Sequence, residues 1–267
     1  MRAELREKLD RRIAAGNTEK PRDFRHISHW DFEKDARDRI GNLHGELIGQ
    51  AKIEDGALVL DGGCVFTTPL SRPLREKSLE VVLQLDSVDQ RGGGAITVQN
   101  LKGDVFDGIV YAETVGRQWL AGSDDHRRTR RFPGAAYEEE AADQPIRMII
   151  VYAPDGNITA YRNGERYGSS YTTYEPIPFE AGESLVAFGL RHGTAPQGGR
   201  MLIGRIFEAR LYDRALTDDE VTAVEASDPT GFVSANKIKA ALSLSLIHIS
   251  EPTRRTPISY AVFCVKK

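Results

Sequence analysis

The chain has 267 residues, 40% of them hydrophobic and 28% charged, and 36 Lys and Arg stand against 39 Asp and Glu for a formal net charge of -3. At ~150 residues per domain this is one or two domains with a real core, and the charge balance argues against a nucleic-acid binder driven by bulk charge. No apolar run approaches the ~20 residues of a bilayer span, and Cys64 and Cys264 alone make neither a disulfide framework nor a structural zinc site.

In residues 2–15, Leu5, Leu9 and Ile13 recur at steps of four among charged residues, which predicts an exposed amphipathic helix stopped by Gly16-Asn17. From 27 to 216 the pattern becomes short apolar or alternating runs separated by Gly, Asp-Gly and Asn-Gly. Strands are expected at 27–32, 57–60, 65–67, 79–85, 95–98, 108–112, 118–122, 146–152, 158–161, 185–190 and 202–212. Two hairpins follow from turn chemistry: Asp155-Gly156 joins 146–152 to 158–161, and Asn163-Gly164 next supplies the positive φ angles of a type I′ turn. The run 146–152 (IRMIIVY) is nearly continuous and predicts a strand covered on both faces. Thr217-Asp218-Asp219-Glu220 is a capping box opening a helix over 218–226; Asp228-Pro229-Thr230-Gly231 breaks it, and 232–242 suggests a second helix.

The run 205–221 (RIFEARLYDRALTDDEV) resembles the closing strand and helix of laminin-G-like, concanavalin-A-like jelly rolls. His29-Trp30-Asp31-Phe32-Glu33, residues 41–45 (GNLHG), 56–62 (GALVLDG) and 79–85 (LEVVLQL) resemble the opening of the same family. The resemblance spans about 28–227 and implies an all-β antiparallel two-sheet β-sandwich with short flanking helices. Residues 89–94, 105–110, 119–124, 128–129 and 188–193 are similar to the version of this domain inserted in large planctomycete-type proteins that carry a cytochrome-c-like region. That likeness implies an extracytoplasmic parent whose other domains are partners. The expected organisation is a charged helical linker (1–25), the jelly roll (26–227) and the start of a helical region (228–243). The remainder, 244–267, contains LSLIHISEPTR and ISYAVFC flanking a short variable segment and resembles translated sequencing-adaptor sequence; it is expected to be non-native.

Four groups of residues carry candidate chemistry. Asp31, Glu33 and Asp35 place three carboxylates at alternating positions, as paired glycosidase acids require, but on the opening strand, where solvent-facing carboxylates are the simpler reading. Asp107, Trp119, Ser123, Asp124, Arg128, Arg191 and His192, with His126 beside them, fall on or near strands that the jelly-roll resemblance places in the curved sheet. Sugars are held by an aromatic platform with planar polar groups, which Trp119, Asp107 and Arg191 can supply; the same residues can equally satisfy one another. Asp31, Asp61 and Asp213 are weak candidates for calcium, and no other cofactor is expected. Arg127-Arg128-Thr129-Arg130-Arg131 reads as a salt-bridged face. The expectation is a non-catalytic binding module with a possible glycan ligand, against a purely structural interdomain module and, third, a glycoside hydrolase.

Overall fold

The computed structural model describes residues 24–227 apart from Glu175 and Gln197. The helices expected at 2–15 and 232–242, and the adaptor-like segment, lie outside the described residues. Strands β1 (Ser28–Trp30), β3 (Lys52–Glu54), β4 (Ala57–Leu60), β6 (Lys77–Leu85), β10 (Ile146–Tyr152), β11 (Asn157–Arg162), β12 (Glu165–Arg166), β13 (Tyr171–Thr172) and β15 (Gly204–Tyr212) form one sheet. Its order is β12-β11-β10-β6-β15-β4-β3, with β1 added to β15 and β13 to β11. The second sheet has the order β2-β5-β14-β7-β8-β9, built from β2 (Gly45–Gly49), β5 (Gly63–Thr67), β7 (Gly93–Asn100), β8 (Phe106–Tyr111), β9 (Trp119–Ser123) and β14 (Ser184–Phe188). Every pairing is antiparallel, giving the jelly-roll sandwich.

Strand alternation decides what lies between the sheets. Leu79, Val81 and Leu83 of β6, Met148 and Ile150 of β10, Ile96 and Val98 of β7, and Ile109 and Tyr111 of β8 share one core with Trp30 and Phe188. The intervening residues of β10 are buried as well. Ile149, Val151 and Tyr212 on the outer face of the nine-stranded sheet join Phe24 and Val221 and Val224 of helix α1 (Asp218–Ala226) in a second cluster. That cover explains why IRMIIVY is apolar almost throughout.

Both turns follow their chemistry: Asn163 (φ 52°) and Gly164 (φ 82°) connect the paired residues Arg162 and Glu165. Both arms of the capping box are present. The Glu220 amide donates to Thr217 Oγ1 at 3.3 Å, and the Thr217 amide donates to Glu220 Oε2 at 3.0 Å. Thr217→Ala is expected to cost about 1 kcal/mol in urea unfolding, because it leaves an amide of the first turn unpaired.

Candidate functional site

The outer face of the six-stranded sheet carries a loop of its own chain. Residues 189–202, following β14, fold back over β7 and are held there by several contacts. The Gln99 side-chain amide donates to Gly193 O at 2.7 Å and accepts from Gly193 N at 3.0 Å, as a neighbouring strand would. The His192 ring stacks on Phe106 with centroids 4.3 Å apart. Arg191 Nη1 lies 3.1 Å from Glu113 Oε1. Such close approach requires glycine beneath: a Cβ on Gly94 would sit 2.5 Å from Arg191 Cα, and one on Gly103, at φ +69°, 2.5 Å from Gly193 Cα.

Beside this loop lies a cleft of about 510 Å3 lined by Glu113, Ser123, His126, Arg191, His192 and Arg200, with the 102–106 turn. Glu113 is the unusual member. Its side chain is 3% exposed, yet its Oε2 has no hydrogen-bond partner. Burial pushes its carboxyl up, while Arg191 and, more distantly, His126 Nδ1 at 3.8 Å pull it down. Arg191 Nε is likewise buried and unbonded. His192 Nδ1 donates to Gly103 O at 2.9 Å, which fixes the proton there and leaves Nε2 an acceptor in the neutral ring. Burial holds its pKa below the usual histidine value. Three non-glycine residues beside these groups occupy the left-handed region, Ala112 (φ 52°), Asp125 (φ 44°) and His126 (φ 55°). Strain of this kind gathers at functional sites.

The sequence candidates divide between this cleft and the interior. Ser123, Arg191 and His192 line the cleft. Asp124 is buried next to it, with Oδ1 unbonded and its carboxyl pushed up by burial. Trp119, Asp107 and Arg128 are not on the sheet's outer face, which corrects the expected sugar platform. Trp119 is 0% exposed: it points between the sheets, donates through Nε1 to Glu138 Oε2 at 2.9 Å and packs against Tyr111. Asp107 is fully buried between Lys77 Nζ at 2.7 Å and the Arg128 guanidinium, and Tyr152 lies against both cations. Asp107 and Arg128 thus satisfy each other, the alternative the sequence had left open, while Trp119 is satisfied by Glu138. Glu113, Arg200 and Lys102 were missed, since a single charged residue in a turn carries no pattern.

The acidic run lies just beyond β1. The strand ends at Trp30, Phe32 turns left-handed (φ 48°) to pack on Phe188, and Asp31 and Asp35 both pair with Arg39. Of the calcium candidates, Asp31 is thus bonded to Arg39, Asp213 pairs with Arg72 at 3.1 Å, and Asp61 is exposed. Among the described residues no group of three or more His, Cys, Asp or Glu could hold a metal ion.

The family profile Laminin_G_3, described as the concanavalin A-like lectin/glucanases superfamily, matches residues 86–222, a little over half of the chain. The chain belongs to this superfamily. No curated protein sequence matches it. Among solved structures it is similar to domain 4 of AbnA, a GH43 extracellular arabinanase from Geobacillus stearothermophilus, in complex with arabinotriose. That likeness has a TM-score of 0.59 and 18% identity, over 75% of this chain and 98% of that one. It is also similar to Trypanosoma rangeli sialidase, with a TM-score of 0.56 and 14% identity over 87% of this chain, which spans only 39% of the sialidase. A third likeness is to the binding domain of botulinum neurotoxin serotype D/C, with a TM-score of 0.52 and 12% identity over 76% of this chain and 52% of that one. At these identities the likeness is one of fold. Proteins that contain a domain of similar fold include an arabinanase, a sialidase and a neurotoxin binding domain, and among the described residues no helix is long and apolar enough to cross a membrane.

Proposed function

We propose that the chain is a saccharide-binding module of an extracytoplasmic protein, that it binds without cleaving, and that its site is the Glu113–Arg191 cleft on the outer face of the six-stranded sheet. The observation that carries this is the pair of unbonded buried groups, Glu113 Oε2 and Arg191 Nε, at one cleft. A sugar hydroxyl both donates and accepts, and so serves a carboxylate and a guanidinium at once. Ser123 and the neutral His192 add further polar groups, and the stacked His192–Phe106 pair gives the cleft a flat wall. The solved complexes of similar fold with arabinotriose and with sialic acid support the reading.

Glycan-array binding and calorimetry on the whole chain test it. A hydrogen bond to a charged group is worth ~1.5–3 kcal/mol, so Glu113→Gln is expected to weaken binding by about tenfold or more. Trp119→Phe, which changes only the interior, is expected to leave affinity near that of the parent. Loss of binding in the Trp119 variant with retention in Glu113→Gln would overturn this placement, and release of shortened saccharide on incubation would overturn the non-catalytic reading.

A further inference from the structure

The charges around the cleft are unevenly answered. Arg191 is paired with Glu113, and Asp104 is held by the Asn100 side-chain amide at 2.7 Å. Arg200, half-buried in the short turn Gly198–Arg200, has no acidic partner among the described residues, and neither does exposed Lys102. Arg200 stands on the same loop as Arg191, whose backbone amide donates to Arg200 O at 2.8 Å, and its Nη1 lies 3.7 Å from the Cβ position of Gly193. Its positive charge reaches both neighbours, opposing protonation of Arg191 and of His192. The two acids of the cleft without a cationic partner among the described residues, Asp104 and Asp125, belong to the turns after β7 and β9 and not to this loop, and Asp104 acts on His192 in the opposite sense to Arg200. The loop side of the cleft therefore holds a half-buried guanidinium beside a second one that Glu113 already neutralises. Such a group gains most from an anion, and a planar guanidinium fits a carboxylate with two parallel hydrogen bonds.

Building on the saccharide reading, we propose that the ligand is acidic: a saccharide bearing a carboxylate or another anionic substituent, which Arg200 binds with help from Lys102, while Glu113 and Arg191 take its hydroxyls. Arg200 is then the residue that sets specificity, and Glu113 the one that sets general affinity. The buried carboxylate of Glu113 stays on its Arg191 partner and does not meet the anion.

The test is calorimetry on the full chain with matched saccharides at two ionic strengths. Oligomers of galacturonate, glucuronate and mannuronate are each compared with their methyl esters, their neutral counterparts and a sulfated analogue. The expected result is a preference of at least about tenfold for the acidic member, the size of one charge-assisted hydrogen bond, weakened by salt and abolished in Arg200→Gln. Arg200→Lys should restore only part of it, because the paired geometry is lost. A sulfated analogue bound as well as the uronate would assign the site to anions in general. Neutral members bound as tightly as the acidic ones, or a preference unchanged in Arg200→Gln, would overturn the proposal while leaving the saccharide reading in place. Silence across the whole panel would overturn both.

Discussion

Asp107→Ala is expected to lower the unfolding free energy by about 3–5 kcal/mol, the range for breaking a buried ion pair from one side. The variant leaves Lys77 and Arg128, both almost wholly buried, against each other with no carboxylate between them. Even in the parent the balance is poor, with two cations for one anion. Burial and the nearby Arg128 push the Lys77 amine well below its usual pKa. Lys77→Met removes the surplus cation, whose ammonium lies over the Tyr152 and Phe179 rings, and leaves an unbranched apolar side chain of similar length in its place, so it is expected to be neutral or stabilising. Urea unfolding of the two variants checks the contrast. Equal losses in both would mean that packing at this site matters and charge does not.

Arg147→Ala is expected to cost a similar ~3–5 kcal/mol, by another route. Arg147 lies under α1, 3.1 Å from Glu80 and 2.8 Å from Glu225, all three side chains less than a tenth exposed. The network runs on through Arg210, which pairs with Glu80 and Glu208, and through His29, 2.7 Å from Glu208. Removing Arg147 takes a counter-charge from carboxylates at the centre and unpins the last turn of the helix. The pH dependence has a definite sign. Burial pushes Glu208 up, but Arg210, His29 and Arg147 together hold it far below the usual carboxylate range. A depressed acid stabilises the fold above its unfolded pKa, near 4.5, and that contribution disappears as pH falls toward the folded value. Glu208→Gln is therefore expected to flatten the acid limb of the stability curve below about pH 4.5; an acid limb of parental steepness would contradict this account.

Much of the sandwich was legible because its signals are local. Asp155-Gly156 and Asn163-Gly164 form the expected hairpins, the strands at 57–60 and 146–152 carry the expected boundaries, and the Thr217 box opens the expected helix. Strands β2 and β3 were not anticipated: GELIG and KIE pair with β5 and β4, and their side chains are mostly exposed or half-buried. Edge strands with little burial leave no alternation to read. The site was legible in part. Arg191 and His192 line the cleft proposed as the site, but alternation cannot say which face of a strand is inner, and Trp119, Asp107 and Arg128 were assigned to the wrong one. Glu113 was invisible because its isolation depends on a loop nearly eighty residues away folding over β7.

The places where the chain joins and leaves the sandwich are tied together. Phe24 sits in the same apolar cluster as Val221 and Val224, Arg214 Nη2 donates to Phe24 O at 2.9 Å, and Ser28 at the head of β1 is paired with Leu211 near the end of β15. Tension applied through both flanks would first strip α1 from the sheet and then open β1 from β15 rung by rung. Bonds loaded singly yield at low force, whereas bonds loaded in parallel resist together. As a link in a longer protein under load, this unit would give way from its outer face inward, and the core strands and the cleft would be the last parts to feel the pull.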